Sequence, residues 1–179
     1  MNSSFFIIFL GILSLIALWR YITNFSANVS APFIPTEPKI IKRMLDIAHL
    51  KKNDILYDLG SGDGRIIIMA ALRGIKAVGI EIDPIKVWYS RLFIKIMKLE
   101  KKAKIERNNF FNVNLSRASV ITIFLHHEIN QLLKEKFHKE LKRGTRIISY
   151  PLTLEGWKPE RIYINADSSW SPIYLYKIK

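Results

Sequence analysis

A chain of 179 residues leaves room for one domain of ordinary size behind a distinctive N-terminal stretch. With 28 Lys and Arg against 15 Asp and Glu, its formal net charge of +13 favours polyanionic surroundings, meaning nucleic acid or an anionic lipid surface. The absence of cysteine excludes disulfides and thiolate metal sites and fits a reducing compartment.

From Met1 to Trp19 no side chain is charged, and FFIIFLGILSLIALW (5–19) is apolar, broken only by Gly11, Ser14 and Ala17. Nineteen helical residues reach roughly 28 Å, about one hydrocarbon thickness. Trp19, Arg20 and Tyr21 then supply the aromatic and basic side chains of a membrane surface. Residues 1–23 are therefore predicted to form a transmembrane anchor. A cleaved signal peptide ending near VSA (29–31) would need a basic leader, and a core helix of a small soluble domain would show a polar face. Neither is present. The first basic residues, Arg20, Lys39, Lys42 and Arg43, all follow the apolar stretch, which places the domain on the cytoplasmic side, or at the inner mitochondrial membrane in a eukaryote.

Residues 24–38, punctuated by Pro32, Pro35 and Pro38, read as a linker, and 39–179 as the domain. A helix is predicted over 39–49, then strands over 54–59, 76–82, 104–109, 119–125 and 145–150. Helices over 65–73, 84–98 and 128–141 separate them, and Asp83 before Pro84 is a strong helix start. This alternation predicts an α/β, Rossmann-like, doubly wound and mostly parallel sheet. The last two strands, RIYIN (161–165) and PIYLYKI (172–178), predict an antiparallel hairpin at one sheet edge.

Between the first strand and its helix lies YDLGSGDGR (57–65). A glycine-rich turn there lets a ligand rest on bare backbone. Gly60, Gly62 and Gly64 are two apart, and Arg65 stands where the dinucleotide pattern G-x-G-x-x-G requires its third glycine. Two loop carboxylates, Asp58 and Asp63, repel phosphates and attract a cation. Glu81 ends the second strand, where a carboxylate can accept both hydroxyls of a ribose. A ribose, a cationic amino-acid end and no phosphate together describe S-adenosylmethionine.

These residues resemble the class I S-adenosylmethionine-dependent methyltransferases, with an acid before G-x-G-x-G and another at the end of strand two. APFIPTEPKIIKRML (31–45), YDLGSGDGRIIIMAA (57–71), GIEIDPIKVWYSRL (79–92), the stretch 120–149 and PLTLEGWKP (151–159) resemble one narrower family across the whole domain. That family holds the mitochondrial ATP synthase c-subunit lysine methyltransferase and archaeal protein-lysine methyltransferases, whose mitochondrial members also carry an N-terminal hydrophobic segment. The resemblance implies cofactor contacts from Asp58, Gly60, Ser61, Gly62, Asp63 and Gly64, from Glu81 and Ile82, and from Asn109 and Phe110. Asn109 replaces the acid that many relatives place at the adenine amino group. An Asn can still meet the adenine edge.

The implied acceptor is a protein lysine. Phe124, Leu125 and Trp157 are the candidate channel for its stem, and His126 or Glu128 the candidate group that orients or deprotonates its amine. The bland alternative makes His126 and His127 surface residues; being adjacent they point apart, with no third ligand spaced for a metal. An adenine-directed DNA enzyme would show Asp/Asn-Pro-Pro-aromatic after strand four, where this chain has FLHH (124–127). A small-molecule or nucleic-acid methyltransferase and a non-enzymatic membrane-tethered module with a vestigial site remain the alternatives. Two basic stretches, Lys86–Arg107 and Lys134–Arg146, are either solvated helix faces or surfaces for an anionic leaflet.

Overall fold

A computed structural model describes residues 13–14, 36–164 and 171–179. The fold belongs to the second of two compact units, Ile34–Lys179, the first being Met1–Phe33. Apart from residues 13–14, the expected anchor over 1–23 lies outside the described residues, as does all but the end of the linker. Among the described residues no helix is long and apolar enough to cross a membrane.

The domain runs α1 (Pro38–Ile47), β1 (Ile55–Leu59), α2 (Arg65–Leu72), β2 (Lys76–Glu81), α3 (Pro84–Ile96), β3 (Ala103–Arg107) and a 3-10 turn (Phe110–Asn112). It continues with β4 (Val120–Ile123), α4 (His127–Glu140), β5 (Arg146–Ser149), β6 (Arg161–Tyr163) and β7 (Ile173–Lys177). The seven strands order as β3-β2-β1-β4-β5-β7-β6. The first five are parallel, while β7 pairs antiparallel with both β5 and β6. The strand order reverses between β1 and β4, so a crevice opens beyond their C-terminal ends.

Strand alternation divides the core in two. Leu56 of β1 and Val120 of β4 face the side covered by α1, α2 and α3, where Ile41, Met44, Ile67 and Ile94 meet them. Leu59, Ile121 and Ile123 face the other side, under Leu133 and Phe137 of α4 and beside Tyr176 of β7. Asp58 shares the parity of Leu56, and Thr122 that of Val120, so both polar groups lie on the first side.

At the opposite end of the sheet Arg146 acts as a clamp. Its guanidinium donates to the carbonyls of Ala48 (2.7 Å) and His49 (2.6 Å), just past α1, and to Asp54 Oδ1 (2.6 Å). The carbonyls left open by a helix C-terminus are satisfied there by a cation. Burial pushes the Asp54 carboxyl up, but the Lys51 N–H, Arg146 and Ser119 outweigh it and hold it below the usual carboxylate value.

Candidate active site

The loop after β1 is built on three left-handed glycines, Gly60, Gly62 and Gly64, with φ of 79°, 55° and 78°. Side chains rarely adopt that region, so glycine is the residue that turns the chain here. The N–H groups of Gly60 and Ser61 donate to Ile80 O (2.9 and 3.0 Å), and Gly62 N–H donates to Glu81 Oε2 (2.8 Å). The loop is thus laced to the end of β2.

Glu81 is buried and fixed by the backbone. Besides Gly62, the N–H groups of Ile82 and Asp83 donate to its Oε1, each at 2.9 Å. Its Oε2 accepts one of these three bonds and keeps a lone pair for a further donor. Asp83 caps α3 as its sequence predicts, accepting from Ile85 N–H at 2.9 Å and Lys86 N–H at 3.4 Å.

Asp58 is the unusual group. Its side chain is buried and accepts one hydrogen bond from the Thr122 hydroxyl, at 2.7 Å. Burial pushes the carboxyl up, Thr122 pulls it back, and the like charges of Glu81 and Asp63 push it up again, to about 7. A cation beside Asp58 would relieve this cost. Asp63 does not share the task, because Arg65 grips it through Nε (2.9 Å to both oxygens) and Nη2 (2.5 Å). The expectation of two loop carboxylates open to a cation is corrected to one. Arg65 also donates to Thr36 O (2.7 Å), tying the start of the domain to the glycine loop.

Two features here were not foreseen. Ser61 Oγ is buried with no hydrogen-bond partner among the described residues, and its side chain sits on the bare backbone of Gly79. A Cβ on Gly79 would lie 2.5 Å from Ser61 Oγ and 2.7 Å from Ile105 Cδ1. A glycine inside a strand signals such a close approach. Thr122, the partner of Asp58, becomes visible only once β1 and β4 are known to pair.

Beyond β3, Asn109 is exposed and caps the 3-10 turn, its Oδ1 accepting from Phe111 N–H at 3.0 Å. Its amide N–H groups stay available as donors. Phe110 is half-buried with its ring 4.9 Å from that of Phe111.

On the β4 side, Leu125 reaches across so that a Cβ on Gly60 would lie 2.9 Å from its Cδ2. Phe124 is half-buried against Tyr150, ring centroids 5.3 Å apart, at the C-terminal ends of β4 and β5. His126, His127 and Glu128 are exposed at the start of α4. His127 Nε2 faces Glu155 Oε2 at 3.4 Å. Trp157 packs on the α4 side of the sheet, the side of Leu125, but farther along α4: it meets Tyr176 and His138, whose ring centroid is 4.6 Å away and which lies eleven residues along α4 from His127. The chain after β5 follows no period, so nothing in the sequence signalled which side its tryptophan would take.

A depression of about 670 Å³ at the N-terminal ends of β4 and β5, lined by Lys51, Arg117, Lys142, Arg143 and Arg146, is remote from all of these groups.

The residues at the β1 and β2 ends fit S-adenosylmethionine. Asp58 offers a buried carboxylate to a cation, Glu81 a positioned carboxylate to hydroxyls, and Ser61 an unpaired hydroxyl. Together with the strand order and its antiparallel β7, they define a class I S-adenosylmethionine-dependent methyltransferase. Residues 58–161 match the ANTKMT methyltransferase domain, and the chain belongs to that family. It is 42% identical over 150 residues to a protein-lysine N-methyltransferase of Saccharolobus islandicus (strain REY15A), covering 82% of this chain and 93% of that protein. It is 32% identical over 142 residues to the ATP synthase c-subunit lysine N-methyltransferase of Homo sapiens, covering 79% of this chain but only 60% of the human protein. A crystal structure of an RNA methyltransferase from Salinibacter ruber with S-adenosyl-L-homocysteine is 34% identical, with a TM-score of 0.76 over 81% of this chain and 94% of that one. S-adenosylmethionine is accordingly the cofactor.

Proposed function

We propose that this methyltransferase acts on the side-chain amine of a protein lysine. The observation that supports the reading is the close approach of Leu125 to Gly60, with the adjacent Phe124 paired with Tyr150 at the C-terminal ends of β4 and β5. The protein-lysine and ATP synthase c-subunit lysine methyltransferases among the relatives support it.

The cofactor supplies a methyl group on a sulfonium, open to in-line displacement by a neutral amine. Asp58, Glu81, Ser61 and the glycine backbone, with Asn109 and Phe110 at the adenine end, hold and orient it. Phe124 and Tyr150 flank the lysine stem and exclude water around its nitrogen. A free lysine amine has a pKa near 10.4. An apolar, already cationic surrounding favours its neutral form. His126 or Glu128, at the solvent side of this opening, takes the departing proton to water.

We propose also that residues 1–23 anchor the chain in a membrane with the domain facing the cytoplasm. The charge-free run to Trp19, with Trp19, Arg20 and Tyr21 at its end, supports this. A second reading, methylation of RNA, is favoured by the net charge of +13 and by the Salinibacter ruber structure.

One experiment separates them. The full chain is mixed with methyl-labelled S-adenosylmethionine, native membranes and native RNA, with an Asp58→Ala, Glu81→Ala double variant as control. Base-stable methyl-lysine on one membrane protein, absent with the double variant, supports the first reading. Label removed by ribonuclease and spared by protease replaces it with the second.

A further inference from the structure

Helix α3 is built the wrong way round for a helix facing water. Val87, Ser90 and Ile94 form its buried side. At about 100° of turn per residue, the side directly opposite carries Trp88, Leu92 and Ile96 in one row, exposed by 65%, 38% and 65%. Tyr89 and Phe93 form the neighbouring row, 44% and 37% exposed, their rings 4.5 Å apart. The outward face of a surface helix ordinarily carries the charge. Here the cations border the apolar stripe instead. Lys95 lies on one flank beside Arg91, whose guanidinium also donates to Ile105 O; Lys86, on the other flank, is held 3.5 Å from the cap carboxylate of Asp83, and α3 itself contains no carboxylate. Lys98, Lys101 and Lys102 follow, against Glu100 alone.

An aromatic and aliphatic face with cations at its margins matches the cross-section of a bilayer surface. Apolar side chains enter the acyl boundary, while Lys and Arg reach back to the phosphates. We propose that α3 is an interfacial docking surface for an anionic lipid bilayer. Charge separates this occupant from the others. A second copy would set the same cations against each other. The apolar N-terminal segment could cover the stripe but offers the cations nothing, since residues 1–36 contain no acid. The helix cap, Asp83, is two residues beyond Glu81, so docking through α3 holds the cofactor end of β2 close to the lipid. The proposal does not rest on the N-terminal anchor: an anchor tethers the chain, whereas α3 decides which side of the domain lies against the membrane.

The chain has no cysteine, so a single introduced one carries the only label. A polarity-sensitive fluorophore is attached to the full chain at Ile96→Cys, with Leu132→Cys as control, a position 62% exposed on α4 across the sheet. Each protein is reconstituted with phosphatidylcholine vesicles, with or without phosphatidylserine and with acyl-chain-brominated lipid as quencher. The expected result is a blue-shifted label at position 96, quenched several-fold more than at 132 in anionic vesicles and released by high salt or by Lys95→Gln with Lys98→Gln. Equal quenching at the two positions in anionic vesicles overturns the proposal, whether or not the protein floats with the vesicles, which reports the anchor alone. A blue-shifted label at 96 that bromine does not quench also overturns it, because protein then covers the face. Quenching indifferent to lipid charge and salt overturns the choice of an anionic surface.

Discussion

Replacing Asp58 by Asn should make the cofactor-free protein more stable at pH 8 while weakening its grip on S-adenosylmethionine. Burial and the like charges of Glu81 and Asp63 make the carboxyl titrate near 7 in the folded protein, against 3.8 for an ordinary Asp. Between those values the folded state binds more protons than the unfolded one, so stability falls as pH rises through that window. A shift of about three units, at roughly 1.4 kcal/mol each, sets a ceiling of about 4 kcal/mol on the cost carried at pH 8. Asn keeps the acceptor for Thr122 and removes the charge. Urea unfolding of the full chain without cofactor, followed by circular dichroism, should show Asp58→Asn more stable than wild type at pH 8. The gap should narrow to less than half by pH 5 and close only as pH falls below 3.8, where the unfolded state is protonated as well. In a parallel titration, S-adenosylmethionine affinity of the wild type should rise with pH up to about 7. The variant should bind roughly ten- to hundred-fold more weakly, the size of a lost charged hydrogen bond. A stability difference that is the same at both pH values, or a variant less stable than wild type at pH 8, would refute the reasoning.

Gly79→Ala would place a methyl 2.5 Å from Ser61 Oγ; it should cost about 1–3 kcal/mol in denaturant unfolding and lower cofactor affinity along with stability. Phe124→Ala should reduce turnover roughly ten- to hundred-fold through misplacement of the acceptor, with cofactor Kd unchanged by calorimetry; a change in Kd alone would take Phe124 out of the acceptor opening. Trp157→Ala should cost about 2 kcal/mol of stability yet leave turnover per folded molecule intact, because its contacts are His138 and Tyr176. Arg146→Ala strands the buried Asp54 carboxylate and should cost about 3 kcal/mol near neutral pH. Asp54 lies below 3.8 in the folded protein, so its own contribution is lost only as pH falls through that lower value.

The sequence disclosed whatever depends on local period and local chemistry. Strands β1 to β5 and their helices fall within about two residues of the expected bounds, because apolar runs alternating with amphipathic stretches admit few other packings. The glycine spacing and Asp83–Pro84 were legible because each requires a particular backbone. What stayed hidden depends on pairing and on side. Thr122 meets Asp58 only through the β1–β4 register, Ser61 meets Gly79 only through the return of the loop over β2, and Arg65 neutralises Asp63 across a turn that the glycine count does not specify. The sequence already allowed Lys86–Arg107 to be a solvated face or a surface for an anionic leaflet, but only the packing of Val87, Ser90 and Ile94 shows which apolar row of α3 faces outward.

The Arg65 bridge has a mechanical consequence. One planar guanidinium holds both Thr36 O and the Asp63 carboxylate, so tension arriving along the chain at residue 36 passes straight into the turn that cradles the methyl donor. The route by which the polypeptide enters the domain and the grip on the donor are connected in series. Wherever the preceding segment is held, its pull is felt first at the cofactor loop.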